Sequence, residues 1–137
     1  MEYHYTIEGE TPSKKNSKIR TRAGYLIPSA QHQKWHQDAM LQLHGQTSRM
    51  RKLPDLIDQP VQITLQFFHG DNVRRDSDNQ AASIMDLLQD AGLLADDRWQ
   101  IVRILTIYNF YDKGHSRCEI AIKELEKTIK TEGTENG

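Results

Sequence analysis

Four stretches of the chain carry the apolar spacing of a β-strand and two carry that of a helix. "YHYTIEG" alternates, placing Tyr3, Tyr5 and Ile7 on one face. "VQITLQFFHG" alternates most clearly, with Val61, Ile63, Leu65 and Phe67 set against Gln62, Thr64 and Gln66. "RWQIVRILTIYNFY" is rich in Ile, Val and Tyr, and "KGHSRCEIAIKE" reads as a turn followed by a short strand with Cys118, Ile120 and Ile122 facing one way. The first helix lies in "PSAQHQKWHQDAMLQLHG", where Ser29 can cap the start, Trp35, Ala39 and Leu43 recur at helical spacing, and Gly45 is expected to end it. The second carries a stripe of Ala81, Ile84, Leu88 and Ala91, with Asp76 or Asp78 as cap and Gly92 at its end. After the first strand "ETPSKKNSKIRTRAGY" reads as a loop or irregular ribbon, and after the first helix "QTSRMRKLPDLIDQP" reads as a connection broken by Pro54 and Pro60.

This order predicts an α+β fold: a single domain over residues 1–125, with a mixed sheet of about four strands and two main helices packed on one side. Residues 126–137, "EKTIKTEGTENG", are expected to form a polar, disordered tail. The 137 residues suit one domain, and 36% hydrophobic content is enough for one core. No apolar run reaches the roughly 20 residues of a membrane span, and the N-terminus lacks a basic region followed by an apolar stretch. The lone Cys118 rules out an internal disulfide and a cysteine-based zinc site, which fits a reducing cytoplasm.

Charge changes the picture more than composition does. The net charge is −1, but residues 1–52 hold nine Lys/Arg against four Asp/Glu, whereas residues 53–137 hold nine against fifteen. A basic front half beside an acid-rich back half is compatible with a nucleic-acid surface next to a metal site, and equally with two solvated faces.

The acids gather around the second helix. Asp76 and Asp78 stand two apart at its start, Asp96 and Asp97 lie beyond its end, and Arg74 and Arg75 precede it. Mg²⁺ and Mn²⁺ prefer carboxylate oxygens and water, and such a site can bind a phosphate oxygen and activate water for attack on phosphorus. Neighbouring arginines would hold the phosphodiester. The same residues also read as helix caps followed by a surface turn. A helix of about 12 residues is about 18 Å long. Asp78 and Asp97 therefore share a site only if both flanking loops return toward one edge of the sheet, or if a second chain completes the neighbourhood.

The joint pattern "RRDSDN", "DLLQDAG" and "LLADD" resembles the RusA family of Holliday junction resolvases, as do the early "PSKKNSK" and "YLIPSAQHQKW". The resemblance spans about residues 1–122. It implies a homodimeric, Mg²⁺-dependent endodeoxyribonuclease that cuts four-way DNA junctions symmetrically in recombination and repair, with Mn²⁺ able to substitute. It also implies action in the bacterial cytoplasm, a phage or prophage setting, and no membrane or small-molecule cofactor. By position, Asp76, Asp78 and Asp97 match the family's metal-binding carboxylates, with Asp96 and Asp86 as further acids and Asn79 as the family's asparagine. Lys14, Lys15, Asn16, Lys18, Arg20, Arg74 and Arg75 would contact DNA phosphates. One departure stands out. The family usually carries a lysine four residues after the second aspartate, and Ala82 occupies that place. A lysine there can stabilise charge on the reacting phosphate. Its loss opens two further readings, a non-catalytic junction-binding protein and a metal-dependent nuclease acting on other branched or single-stranded DNA. A cation from elsewhere in space, Arg74, Arg75, Lys14 or Lys15, could also replace it.

Four other features have both a functional and an ordinary reading. His32 and His36 have a zinc-compatible spacing but no third ligand, so exposed helix histidines are expected. Trp35 is expected in the core, whereas Trp99 is open to base stacking. Phe68 points away from the buried face, toward a wedge between base pairs or, more plainly, a dimer interface. Cys118 is expected buried and inert.

Overall fold

A computed structural model describes residues 2–14, 18–24, 26–49 and 56–125, with the backbone alone at residues 18, 19 and 26–28. The expected disordered tail, 126–137, falls outside the described residues. The elements follow in the order β1 (Glu2–Glu8), β2 (Lys18–Arg20), β3 (Leu26–Pro28), α1 (Ala30–Ser48), β4 (Val61–His69), α2 (Ser77–Asp90), β5 (Val102–Tyr111) and β6 (Arg117–Glu124).

β1, β6, β4 and β5 form one mixed sheet in that spatial order. β6 runs antiparallel to both β1 and β4, while β4 and β5 run parallel. Parallel neighbours need a crossover, and α2 supplies it, so β4–α2–β5 is a βαβ unit. The alternating residues Tyr5, Ile7, Val61, Ile63, Leu65, Phe67, Cys118, Ile120 and Ile122 all bury on one face, where Ala39 and Leu43 of α1 and Ala81, Ile84, Leu87 and Leu88 of α2 meet them. The other face is half open. This is the α+β, helix-on-one-side architecture that the apolar spacing predicts.

Two details depart from the sequence reading. The basic ribbon is not wholly irregular, since β2 and β3 pair antiparallel within it. Gly45 does not end α1, which runs on through Ser48. The reason is tertiary. The Gln46 side chain accepts from the backbone N–H of Thr6 at 2.8 Å and donates to the Thr6 carbonyl at 2.7 Å, and Gln42 accepts from the Glu8 N–H at 2.7 Å. β1 lies at the sheet edge, so these glutamines satisfy backbone groups that would otherwise have no strand beside them. Bonds of that kind outweigh the modest cost of one helical glycine. The predicted cap at Ser29 is present, its hydroxyl accepting from the His32 N–H at 3.1 Å.

Cys118 is buried, and burial pushes its thiol well above the ordinary range, so the reactive thiolate is suppressed. Among the described residues, no helix is long and apolar enough to cross a membrane.

These contacts set a stability order. Leu65→Ala empties a fully buried site and should cost about 2–5 kcal/mol. Gln46→Ala strands the Thr6 backbone and should cost about 1–3 kcal/mol. Urea denaturation of the three proteins measures both, and a Gln46→Ala value near zero would show that water replaces the glutamine without loss.

Candidate nuclease groove

α2 presents a broad buried face and one narrow open strip. Gln80, Ala81, Ser83, Ile84, Met85, Leu87 and Leu88 are buried. Asp78, Ala82 and Asp86 recur at i, i+4 and i+8 on the open strip. That strip floors a groove of about 250 Å³, walled by Lys14 from the loop after β1, by Asp97 from the turn before β5, and by Leu105 and Ile107 of β5. Asp78, Asp86 and Asp97 therefore share one depression, although a helix separates the first from the last. The turn after α2 folds back alongside β5, which is the looped return that the sequence reading required. The turn itself is fixed, because Leu94 bridges to Ile57 and the Ala95 N–H donates to the Ile57 carbonyl at 2.9 Å.

Of the paired acids, Asp97 lines the groove, whereas Asp96 turns onto its own backbone. Its carboxylate accepts from the Asp97 N–H at 2.7 Å and lies 3.5 Å from Arg98. Asp76 takes the N-cap position of α2, yet its side chain makes no capping hydrogen bond. It lines a second depression of about 450 Å³ that includes Glu10, Gln31, Arg74, Arg75 and Gln80. The start of α2 thus separates Asp76, with the two arginines, from the Asp78–Asp86–Asp97 groove.

The arginines differ. Arg74 is exposed. Arg75 grips Asp71 through both terminal nitrogens, at 2.6 and 3.3 Å, and lies 3.6 Å from Glu10. That contact, with help from the Val73 N–H, holds the Asp71 carboxyl below its usual range and the Arg75 guanidinium above its own. Glu10 also meets His69 Nδ1 at 3.1 Å, and His69 Nε2 lies 2.9 Å from Asn109 Oδ1. Arg75 is therefore committed to a protein network that shapes the loop before α2, which differs from a free phosphate contact.

The loop after β1, expected to be a loop or irregular ribbon that contacts DNA phosphates, is bolted to α2 over residues 10–14. The Gln80 amide donates to the Glu10 carboxylate and to the Thr11 carbonyl, both at 2.7 Å. Ser83 Oγ donates to the Pro12 carbonyl at 2.7 Å, and the Lys14 N–H donates to the Asn79 carbonyl at 3.1 Å. The Lys14 ammonium then reaches Asp86 at 2.8 Å. Sequence reasoning missed Gln80 and Ser83. Their signal was two polar residues three apart on a face that Ala81, Ile84 and Leu88 mark as buried, where polar groups must find partners.

Lys15 and Asn16 lie outside the described residues, and for Lys18 only the backbone is described. Arg20 closes the β2–β3 hairpin by donating to the Gly24 carbonyl at 3.1 Å. His32 and His36 are half-buried rather than exposed, and His36 pairs with Asp90 at 3.0 Å. Trp35 packs against the core. Trp99 is exposed with the Arg103 guanidinium 5.6 Å from its ring centroid. Phe68 stacks on Phe110 at 5.0 Å beneath the Arg117 guanidinium.

The groove fits a hard divalent cation by donor chemistry. Among the described residues, no three carboxylate, histidine or cysteine side chains close around a single point. Mg²⁺ does not need such a cage, because it keeps several waters and binds through one or two carboxylates plus substrate phosphates. Asp78 and Asp97, with Asp86 beside them, are the residues that would hold it.

The sequence profile of the family described as Endodeoxyribonuclease RusA matches residues 8–123, from the end of β1 almost to the end of β6. No curated protein matches the chain.

The Asp71–Arg75 contact has a definite pH signature. A carboxyl held below its usual value of 3.8 adds stability that is fully present above that value and is lost as pH falls through the folded-state value. Wild-type protein should therefore exceed Asp71→Asn in stability at neutral pH, with the gap closing only on the acid side of the usual value. Thermal melts of both proteins across an acid series measure it, and a gap independent of pH would assign the difference to lost hydrogen bonds instead.

Proposed function

Because the chain belongs to the RusA endodeoxyribonuclease family, we propose that it is a Mg²⁺-dependent endonuclease that resolves four-way DNA junctions, working as a homodimer with one cut per subunit. The observation that carries this reading is the gathering of Asp78, Asp86 and Asp97 in one groove with a lysine beside them.

Asp78 and Asp97 supply anionic oxygens from opposite ends of α2, and Asp76 stands at the helix start on the arginine side. A bound divalent cation would supply neutralisation of phosphate charge and a lower pKa for the attacking water. The chain itself positions the scissile phosphate. Arg74 offers a cation on the Asp76 side of the helix start, in the second depression, and the N-terminal end of α2 favours an anion beside it. Hydrolysis joins a water oxygen to phosphorus and breaks the bond to the 3′-oxygen, leaving a 5′-phosphate and a 3′-hydroxyl. Two subunits related by a two-fold axis match the two-fold symmetry of a junction. Ile104, Tyr108 and Phe110 are exposed along the edge strand β5 and would offer an apolar surface for self-association.

A labelled synthetic four-way junction tests the reading. Wild-type protein with Mg²⁺ should produce paired, symmetric nicks. Asp78→Asn should cut about 10²–10³-fold more slowly, the scale of one lost preorganised electrostatic contact, while still binding the junction in EDTA. Affinity should fall with salt by about 0.9 in log K per log salt for each phosphate neutralised. Tight junction binding without any cutting would favour the non-catalytic reading that Ala82 suggests. Cutting of a flap or single strand in preference to the junction would reassign the substrate.

A further inference from the structure

Lys14 is the one cation among the described residues that line the carboxylate groove. Its head group arrives from outside α2. The Ala82 methyl, midway between Asp78 and Asp86 on the open strip, leaves the space that a longer side chain on the helix would fill. The backbone that delivers Lys14 is held at three successive points, the Thr11 and Pro12 carbonyls and the Lys14 N–H itself, all bonded to α2. The ammonium contacts Asp86 at 2.8 Å, and both side chains stay about two-fifths exposed. Exposed pairs of this kind are worth little net free energy, so the ammonium can leave Asp86 at small cost when a more highly charged partner arrives. A structural ion pair would need no such placement, because the segment is already fixed by its backbone.

We propose that Lys14 is a catalytic residue of this nuclease, donating its charge to a non-bridging oxygen of the scissile phosphate, and that Asp86 is a positioning residue that keeps the ammonium in the groove beforehand. The inference rests on the nuclease reading above. Charge on the phosphoryl oxygens rises as the water oxygen bonds to phosphorus and falls when the 3′-oxygen leaves with its electron pair and takes up a proton. The Lys14 ammonium stabilises the peak of that charge, where a fixed cation contributes most. The chain thereby places on a loop an ammonium that the helix lacks at residue 82.

The test compares wild type, Lys14→Ala, Lys14→Arg, Asp86→Asn and the double variant Lys14→Ala/Ala82→Lys. Two readouts are taken: single-turnover junction cleavage in Mg²⁺, and junction affinity in EDTA by fluorescence anisotropy. Lys14→Ala is expected to cut about 10²–10³-fold more slowly, with metal-free affinity within about threefold of wild type, as expected for one lost phosphate contact of many. Asp86→Asn should slow cutting by about tenfold, the smaller loss expected when a cation is misplaced rather than removed. The double variant should regain at least about tenfold over Lys14→Ala, since a lysine at 82 delivers the same charge to the same groove. Lys14→Arg keeps the charge and the fold, and should sit between wild type and Lys14→Ala. The assignment is overturned if Lys14→Ala cuts at the wild-type rate, if its affinity loss equals its rate loss, or if the lysine at 82 restores nothing. A wild-type protein that binds the junction and never cuts would instead remove the nuclease reading itself, and this proposal with it.

Discussion

The side-chain amide of Gln80 is the joint on which the site depends. It is almost wholly buried, and it donates both to the Glu10 carboxylate and to the Thr11 carbonyl. Burying such an amide without partners would cost about 1–3 kcal/mol, so the helix and the loop after β1 each need the other. On one side of that joint, Glu10 continues to His69 and Arg75, and Arg75 continues to Asp71. On the other side, Ser83 and Asn79 carry the loop onward until Lys14 faces Asp86. One buried amide thus fixes both flanks of the start of α2, the arginine side and the carboxylate side. The joint is held from its donor side, through the two bonds of Gln80 Nε2, while Oε1 is buried without a partner among the described residues, and a groove that must hold charges in place needs the rigidity those two bonds give.

The sequence reveals the layers well because they follow from one-dimensional spacing. Val61 to Phe67 can alternate against glutamine and threonine only as a half-buried strand, and the stripe from Ala81 to Leu88 can bury only as a helix. Endings were harder to read. Gly45 looks like a stop, but whether a helix stops depends on what its last turn can bond to. The edge of β1, which holds Gln42 and Gln46 in place, lies about 40 residues earlier in the chain. The sheet order was equally hidden, since pairing β6 between β1 and β4 leaves no mark on any single strand.

The chemistry was legible as a set of residue types and less so as a place. Asp76, Asp78 and Asp97 were visible as a cluster around α2, but their distribution was not: the helix start divides Asp76 from the other two, and Asp97 rather than Asp96 reaches the groove. Arg75 looked like a free cation until the fold brought Glu10 beside it. Lys14 looked like one phosphate contact among several, since nothing in "PSKKNSK" announces that its backbone bonds to a helix more than 60 residues away. Spacing locates a carboxylate on its own element; it cannot say which other element leans against it.

The position of β6 has a consequence for how the protein comes into being. The last strand of the sheet to be synthesised is an inner one, bonded along its length to β1 at one edge and β4 at the other. Until Arg117–Glu124 has emerged, β1 and the β4–α2–β5 unit have no strand between them. The loop that carries Glu10 through Lys14 then hangs from an unattached strand. Such long-range pairing is slow because loop closure precedes any contact that rewards it. The carboxylates on α2 can take their helical spacing early, as local structure does, but the groove around them closes only when the sheet does. A chain still being made therefore carries the acids of the site without the site, and a cell meets the assembled groove only on a finished fold.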